Sequence, residues 1–599
     1  MVDVRDPSGE ARSPRLQLGL ALLLVVAVAV SFGPSLGNGF VSWDDQWYVV
    51  DNDHLKIESL GDLLWPFTHS YYWSYIPLTL LSHALDYALW GHDPFGHHLT
   101  SVVLHAANAV WLFVLSVALV RMPGEHRGSV RDLASLFGAF AGALLFAVHP
   151  LRVESVAWVS DRKDVLCAFF LLPALLAYLR ARAAMAAPHG SRWMGLSVGL
   201  FVCAVLSKAT ALMFPVVLLL LERMLLGRGP EREPLRTTLH RVAPFAAASV
   251  IVGVIGLAST PAQSLNFLTL DLTDTQRMLL PFHTIVSPLG TLLWPMTLGP
   301  IYDYPEGVLT MLLSLLIILL VTGATVILAR MKYPGIALAW AVYLVMSLPT
   351  ALFFLTGIQP LADRYTYLSM MSIMVLVGAG AMLVARRVSG PLPRMLLVAA
   401  VAAVALGLGT MTYRQAETWK SSLTLWSHAV RVAPSSAVAF NNLGQAHLEA
   451  GAVEEAMLAF TVASRLKPDY ADVYNNMGVA SIMTGDARGG RRLLEQARII
   501  LEGVPSSGPD LPDVYRNLGR VHYELGDLDS ALASYRRCLA LQPQDGLAWN
   551  GLAEVLEAMG YGEESLRATE RAASLGNPDA QRRRAQARGG KGAKREDPP

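Results

Sequence analysis

Two adjacent carboxylates, Asp44 and Asp45, end the segment Asn38-Gly39-Phe40-Val41-Ser42-Trp43-Asp44-Asp45, which follows closely on a long apolar run. A carboxylate within about 3 Å of a hydroxyl can take its proton while that oxygen attacks carbon, the task of a general base. Aspartate is a weak base in water, but desolvation raises its basicity. Trp43, Trp47 and Tyr48 beside the pair are amphipathic rings of the kind that gather at a membrane interface. Asp51 and Asp53 follow in the same stretch, so spacing alone does not single out the pair. Aspartate also caps helices and closes turns, a structural use that competes with the chemical one.

Basic residues in apolar surroundings make a second set. Arg162 and Lys163 follow His149-Pro150-Leu151-Arg152-Val153-Glu154-Ser155-Val156; Lys208 lies in Leu206-Ser207-Lys208-Ala209; Arg364 lies in Leu361-Ala362-Asp363-Arg364-Tyr365. Cations at such positions are costly and tend to be functional, and their usual ligand is phosphate. Arg162, Lys208 and Arg364 together therefore form a candidate lipid-phosphate site. The structural alternative pairs Arg162 with Asp164 or Glu154, and Arg364 with Asp363. His92, Asp93, His97 and His98 have spacing that metal binding permits, but no second cluster matches them and no metal is expected. His105 and Asn108 share a helical face and suit a helix-gluing role.

The elements that must carry these residues are membrane helices. The chain has 599 residues, 53% of them apolar and 16% charged, which indicates a polytopic membrane protein. A net charge of +1 argues against nucleic acid as a partner. Cys167, Cys203 and Cys538 form neither a disulfide framework nor a CxxC signature. Runs long enough to cross about 30 Å of hydrocarbon fall near 16–33, 99–120, 134–150, 165–181, 193–207, 209–226, 242–260, 308–329, 335–357, 366–385 and 395–412. The first is read as a retained helix, because it is longer than a signal-peptide core.

Arginine and lysine in short loops favour the cytoplasm. Arg121, Arg127 and Arg131 mark one such loop, Arg180, Arg182 and Arg192 the next, and Arg223, Arg228, Arg232, Arg236 and Arg241 a third; Arg330 with Lys332, and then Arg386, Arg387 and Arg394, mark the last two. About eleven crossings result, with the N-terminus inside. The remaining apolar stretch, 279–298, holds Pro281, Pro288 and Pro295 and is expected to be re-entrant or interfacial, walling an active-site chamber.

Beyond Thr412 the composition turns to mixed polar helix with a 34-residue period, the length of a tetratricopeptide repeat. The expected organisation is a cytoplasmic N-terminus (1–15), a multi-span domain (16–412, first outer loop 34–98), a linker with a truncated repeat (413–436), repeats over 437–580 (437–470, 471–504, 512–545 and 546–579), and a disordered basic tail (581–599). Trp426, Ala429 and Pro434 fit the second helix of the truncated repeat. The fold class is all-α: a transmembrane bundle followed by an α-solenoid.

The WDD segment, Pro77-Leu78-Thr79 through Trp90-Gly91, His98 through Asn108, His149-Pro150 with Glu154 to Asp164, Leu206-Ser207-Lys208 and Asp363-Arg364-Tyr365, in this order, resemble the transmembrane and tetratricopeptide-repeat-containing O-mannosyltransferases and their bacterial relatives. The resemblance covers nearly the whole chain. It implies a GT-C-type glycosyltransferase that takes a sugar, mannose by family analogy, from a polyprenyl phosphate and gives it to Ser or Thr hydroxyls outside the cytoplasm. It implies catalytic roles for Asp44 and Asp45 alone; Glu154, Asp164 and His98, which lie in the matching stretches, are expected to support the site. No cofactor beyond the donor substrate is expected, since cationic side chains can help the lipid phosphate leave. Expected partners are membrane lipid, a lipid-phosphate-linked sugar, and a polypeptide held by the repeats. The expected location is a bacterial inner membrane with the repeats in the periplasm, or the endoplasmic reticulum in a eukaryote. Ala209 and Ala362 depart from the family pattern. Two rival readings are a non-enzymatic membrane-anchored scaffold and a lipid-linked glycan ligase or polymerase.

Overall fold

A computed structural model describes residues 7–72, 74–120, 133–184, 190–226, 233–259, 272–303, 307–353, 359–503 and 510–592. Arg121, Arg127, Arg131, Arg228, Arg232 and the insertion around Pro505 lie outside these residues, as do 1–6 and 593–599 of the two expected tails. The chain folds as two compact units, Met1–Val432 and Ala433–Pro599.

In the first unit the helices are α1 (Pro7–Ser31), α2 (Leu60–Leu64), α3 (Pro77–Trp90), α4 (Pro94–Val120), α5 (Leu133–Ala147), α6 (Val153–Ala157), α7 (Arg162–Ala183), α8 (Gly190–Ser207), α9 (Phe214–Leu221), α10 (Leu235–Ser259), α11 (Asp274–Leu293), α12 (Val308–Arg330), α13 (Pro334–Phe353), α14 (Thr366–Arg387), α15 (Pro391–Glu417) and α16 (Ser422–Val432). Prolines open several of them, including α3, α4 and α15, where a missing N–H costs nothing. Among the described residues ten helical stretches are long and apolar enough to cross a membrane, and an eleventh results if α5 and the helical turns through α6, bent by 57°, count as one span. The chain is a membrane protein.

Two devices hold the spans together. Gly138 and Gly142 on α5 meet α14 so closely that a Cβ on either would stand 2.5 Å from the carbonyl oxygen of Gly378 or Met374, the close backbone approach that a GxxxG spacing permits. At the centre, His105 on α4 shares hydrogen bonds with the Tyr367 hydroxyl (2.7 Å) and the Ala147 carbonyl (3.0 Å). Asn108, one turn on, donates to Val165 O at 2.8 Å and to the same Tyr367 hydroxyl at 3.0 Å. The two polar residues thus join α4 to α5, α7 and α14.

The motif residues sit where helices break. His149-Pro150 marks the bend between α5 and α6, a 3-10 turn over Val159–Asp161 precedes α7, Lys208 is the extended residue after α8, and a 3-10 turn over Asp363–Tyr365 precedes α14. Non-helical backbone at membrane depth survives only when packed in protein or lining a cavity. The segment 279–298 overlaps α11, which holds Pro281 and Pro288. The Leu292 carbonyl lies 3.0 Å from His149 Nε2, which ties the end of α11 to the α5–α6 bend.

The second unit is a run of helical hairpins: α17 (Ala437–Glu449) with α18 (Val453–Leu466), α19 (Ala471–Met483) with α20 (Ala487–Glu502), α21 (Asp510–Glu524) with α22 (Leu528–Leu541), α23 (Gly546–Ala558) with α24 (Gly562–Ser574), and then α25 (Pro578–Gly592). Signature small residues let aromatics in: a Cβ at Gly444 would collide with the Phe460 ring. The tail corrects the expectation of disorder from residue 581. Its basic residues continue a helix to Gly592, with Arg583 bridging to Glu554 at 3.3 Å and to Glu557, so charge that reads as solvated tail caps the last hairpins instead.

Candidate functional site

Asp44 and Asp45 separate in role as soon as their oxygens are followed. Val41 N donates to Asp45 Oδ2 at 3.0 Å, while Ser160 N and Ser160 Oγ donate to Oδ1 at 2.9 and 2.5 Å. The side chain is 1% exposed and all its bonds are internal. It closes the turn that bears it and clamps that turn to the 3-10 segment before α7. Burial still pushes its carboxyl up to about 6, against the hydrogen bonds that favour ionisation. Asp44 is half-buried, and its carboxylate has no hydrogen bond among the described residues. Burial raises its pKa too, opposed by the positive charges of Lys163 and Arg364 and seconded by the negative charge of Asp161.

The cations come from three helix breaks: Lys163 and Arg364 act on the Asp44 carboxylate, and Lys208 acts on Asp161 and Asp164. Arg364 holds Glu154 twice, through its backbone N–H at 2.8 Å and through Nη1, and donates from Nη2 to Gln359 Oε1 at 2.5 Å and Tyr365 Oη at 3.2 Å. Its guanidinium lies 5.3 Å from the centroid of the Trp158 ring. Lys208 Nζ is 2.5 Å from Asp164 Oδ1, and Ser155 Oγ donates to the other oxygen of Asp164 at 3.2 Å. Lys163 Nζ is 3.5 Å from Asp161 and faces both the Tyr48 and Trp158 rings, at 5.6 and 6.0 Å.

Arg162 is the exception. Nη1 pairs with Asp86 at 2.5 Å and donates to Ser82 O, Nη2 donates to His97 O at 2.7 Å, and Nε reaches Ser101 Oγ; the residue has no exposed surface. Four of its five N–H donors are turned to partners inside the bundle and none of the side chain is exposed, so its expected place in the phosphate site is corrected to a buried brace between α3, α4 and α7. The local pairings also give way to crossed ones: Arg162 with Asp86, Arg364 with Glu154, and Asp363 with the Tyr302 hydroxyl at 2.7 Å. His98 serves the backbone, with Nε2 3.4 Å from Gly39 O in the segment that leads to Asp44.

Lys163, which the sequence places beside Arg162 without a role, and Asp161, which it does not single out, both act on Asp44. Neighbouring positions on a helix point about 100° apart, so Arg162 turns into the bundle and Lys163 turns towards Asp44. The sequence does carry a signal, the alternation Asp161-Arg162-Lys163-Asp164 at the mouth of an apolar helix. Arg152 is a further buried cation, held by Thr366 O at 3.1 Å and Thr366 Oγ1 at 3.0 Å. Among the described residues no group of three or more His, Cys, Asp or Glu side chains gathers with metal-holding geometry.

The tetratricopeptide repeat family matches residues 469–544, and again 411–471 and 516–580. The chain is 34% identical to human protein O-mannosyl-transferase TMTC4 across 37% of its length and 31% of that protein's. It is 25% identical to Drosophila melanogaster protein O-mannosyl-transferase Tmtc3 across 76% of its length and 56% of that protein's, and 23% identical to a Caenorhabditis elegans protein O-mannosyl-transferase, F38B6.6, across 76% and 63%. Over these stretches the chain is similar to the transmembrane and tetratricopeptide-repeat-containing O-mannosyltransferases. It spans less than two thirds of the length of these curated relatives. Similar solved structures include MamA (17% identity, TM-score 0.24, covering 29% of this chain and 96% of that one) and a thermophilic TPR protein of Thermus thermophilus (27%, TM-score 0.24, covering 31% and 94%).

Proposed function

We propose that this O-mannosyltransferase relative moves a sugar, mannose by analogy with its relatives' names, from a polyprenyl phosphate to a Ser or Thr hydroxyl of a polypeptide on the extracytoplasmic face. The observation that carries the reading is Asp44, a carboxylate free of hydrogen bonds among the described residues, half-buried and flanked by Lys163 and Arg364. In the step envisaged, the acceptor oxygen attacks C1 of the sugar, the bond from C1 to the phosphate oxygen breaks, and the hydroxyl proton passes to Asp44. The lipid phosphate leaves with its charge offset by Lys163, Lys208 and Arg364. Each of these cations keeps an edge open, with side chains 16%, 13% and 10% exposed. Asp45, Glu154 and Asp164 act through these groups, by holding the turn and the cations in place.

The host membrane is proposed to be the bacterial inner membrane, with the repeats in the periplasm presenting the acceptor. The test is transfer by purified protein from a synthetic polyprenyl-phosphate mannose to Ser/Thr peptides, wild type beside Asp44→Asn. Transfer that depends on Asp44 supports the proposal, and no transfer by wild type to any hydroxyl peptide overturns it.

A further inference from the structure

The loop bearing Asp44 is held from behind by the junction of α15 and α16. Asn38 Nδ2 donates to Ala416 O at 3.0 Å, Gly39 N donates to Lys420 O at 3.0 Å, and Ser42 N donates to Ser422 Oγ at 2.9 Å. Trp43, the residue before Asp44, packs edge-on against Trp426 with centroids 5.0 Å apart. The same junction backs the cations: Trp419 stacks on Trp158 at 5.7 Å, and Trp158 in turn carries Arg364 and Lys163 over its ring. Trp158, Trp419 and Trp426 are all fully buried. Residues 411–471 match the repeat family, so α16 is repeat-like in sequence although it packs within the membrane unit.

We infer that α16, a repeat-like helix packed within the membrane unit, is a built-in wall of the transfer site, and that Trp419, Ser422 and Trp426 are positioning residues that set Asp44 against its cations. The inference rests on the proposed function for its meaning, though its geometry stands apart from it. The acid and the cations of the site sit on different breaks in the chain, and no hydrogen bond links Asp44 to either Lys163 or Arg364 among the described residues. Their relative position is therefore set by what each leans on, and both lean on the stretch from Trp419 to Trp426. Edge-to-face and stacked ring pairs fix orientation as well as distance. By fixing Trp43 and Trp158 on either side, the aromatic wall sets how deeply the Asp44 turn is seated, which matters because burial is the largest influence on the basicity of its carboxylate. The charged groups facing Asp44 are Lys163, Arg364, Asp161 and the adjoining Asp45.

The experiment uses the full chain with Trp426→Ala, Trp426→Phe or Ser422→Ala. The first readout needs no turnover: the pH midpoint for labelling Asp44 with a water-soluble carbodiimide and an amine, read by peptide mass spectrometry. The second is the acid limb of peptide mannosylation. Trp426→Ala should move the labelling midpoint down by about half a pH unit or more, as lost desolvation requires, and the acid limb with it. Trp426→Phe, which keeps the ring contact, should restore the wild-type midpoint. An unchanged midpoint in Trp426→Ala overturns the inference, as does a Phe variant that behaves like Ala. Should Trp426→Ala fail to accumulate, Ser422→Ala decides, since it removes one hydrogen bond only: a downward shift upholds the wall and no shift overturns it. A midpoint that moves in a protein whose wild type transfers no sugar upholds the positioning role and sinks the proposed function alone.

Discussion

Asp44 and Asp45 are chemically identical neighbours put to opposite uses by what surrounds them. Three internal donors fill Asp45, whereas Asp44 points its carboxylate among charges without a bond among the described residues. Asp44→Asn should therefore lower turnover by roughly 100- to 10,000-fold, the usual worth of a general base, with donor binding largely kept. A loss of less than about tenfold in purified protein would count against the assignment. Since the base must be ionised and burial raises its pKa, the rate should climb with pH through a limb above the ordinary carboxylate range, and Asp44→Asn should lack that limb. Asp45 makes its own prediction in stability. Its folded-state pKa, about 6, exceeds the ordinary value of 3.8 for a free carboxyl, so the native state holds the proton more tightly than the unfolded chain. Stability from this group is present below the unfolded value and lost as pH rises through the folded one, by on the order of 3 kcal/mol. Thermal unfolding in detergent at about pH 5 and about pH 8, either side of the folded value, should thus show the wild type losing stability relative to Asp45→Asn as pH rises. A constant gap would mean that the proton on Asp45 is not linked to folding.

At the scale of elements, the ion pairs explain which parts of the site the sequence disclosed. Apolar runs of spanning length need no partner to be recognised, so the bundle could be read from composition and period alone. The partners of the charges could not: Asp86 meets Arg162, and Glu154 meets Arg364, across gaps that only the packed bundle closes. The position of Lys163, next to a residue that faces the other way, was hidden for the same reason. The pairing of Arg162 with Asp86 predicts that either Arg162→Gln or Asp86→Asn alone should cost about 3–5 kcal/mol, because one buried charge is left alone. Both variants should be depleted from membranes, and replacing the two together with apolar residues should recover part of the loss. Equal loss in the double variant would mean the pair is not the cause. The α5–α14 crossing gives a sharper structural test. A methyl added at Gly142 would stand 2.5 Å from Met374 O, so Gly142→Ala forces backbone apart and should cost about 1–3 kcal/mol. Gly195 has open space at its Cβ, and Gly195→Ala should be harmless in the same unfolding assay.

Across the whole membrane unit, the contacts fix the parity of the crossings. Among the described residues between Glu154 and Arg364 the stretches able to span are Val159–Ala183, Gly190–Ser207, Ala209–Leu226, Leu235–Ser259, Val308–Arg330 and Pro334–Leu352. That number is even, so both residues end on the same face, as their ion pair requires. Were α11 to cross as well, the number would be odd and the pair would be split across the bilayer. The fold therefore argues that α11 stays on one side, where the His149 contact to Leu292 O holds it beside the α5–α6 bend. The same counting sets Asp44, Lys163, Lys208, Arg364 and Trp419 on one face. Arg182 and Arg241, which share Glu222, fall at the opposite ends of the spans they join. Short loops rich in arginine favour the cytoplasm, so the proposed arrangement has the Asp44 face outside and the chain after α15 outside too. A reporter active only in the cytoplasm, fused after Ala580, should then be silent, while one inserted between Arg387 and Gly390 should be active. A cytoplasmic signal from the Ala580 fusion would place the Asp44 face inside the cell, where the proposed extracytoplasmic transfer has no place.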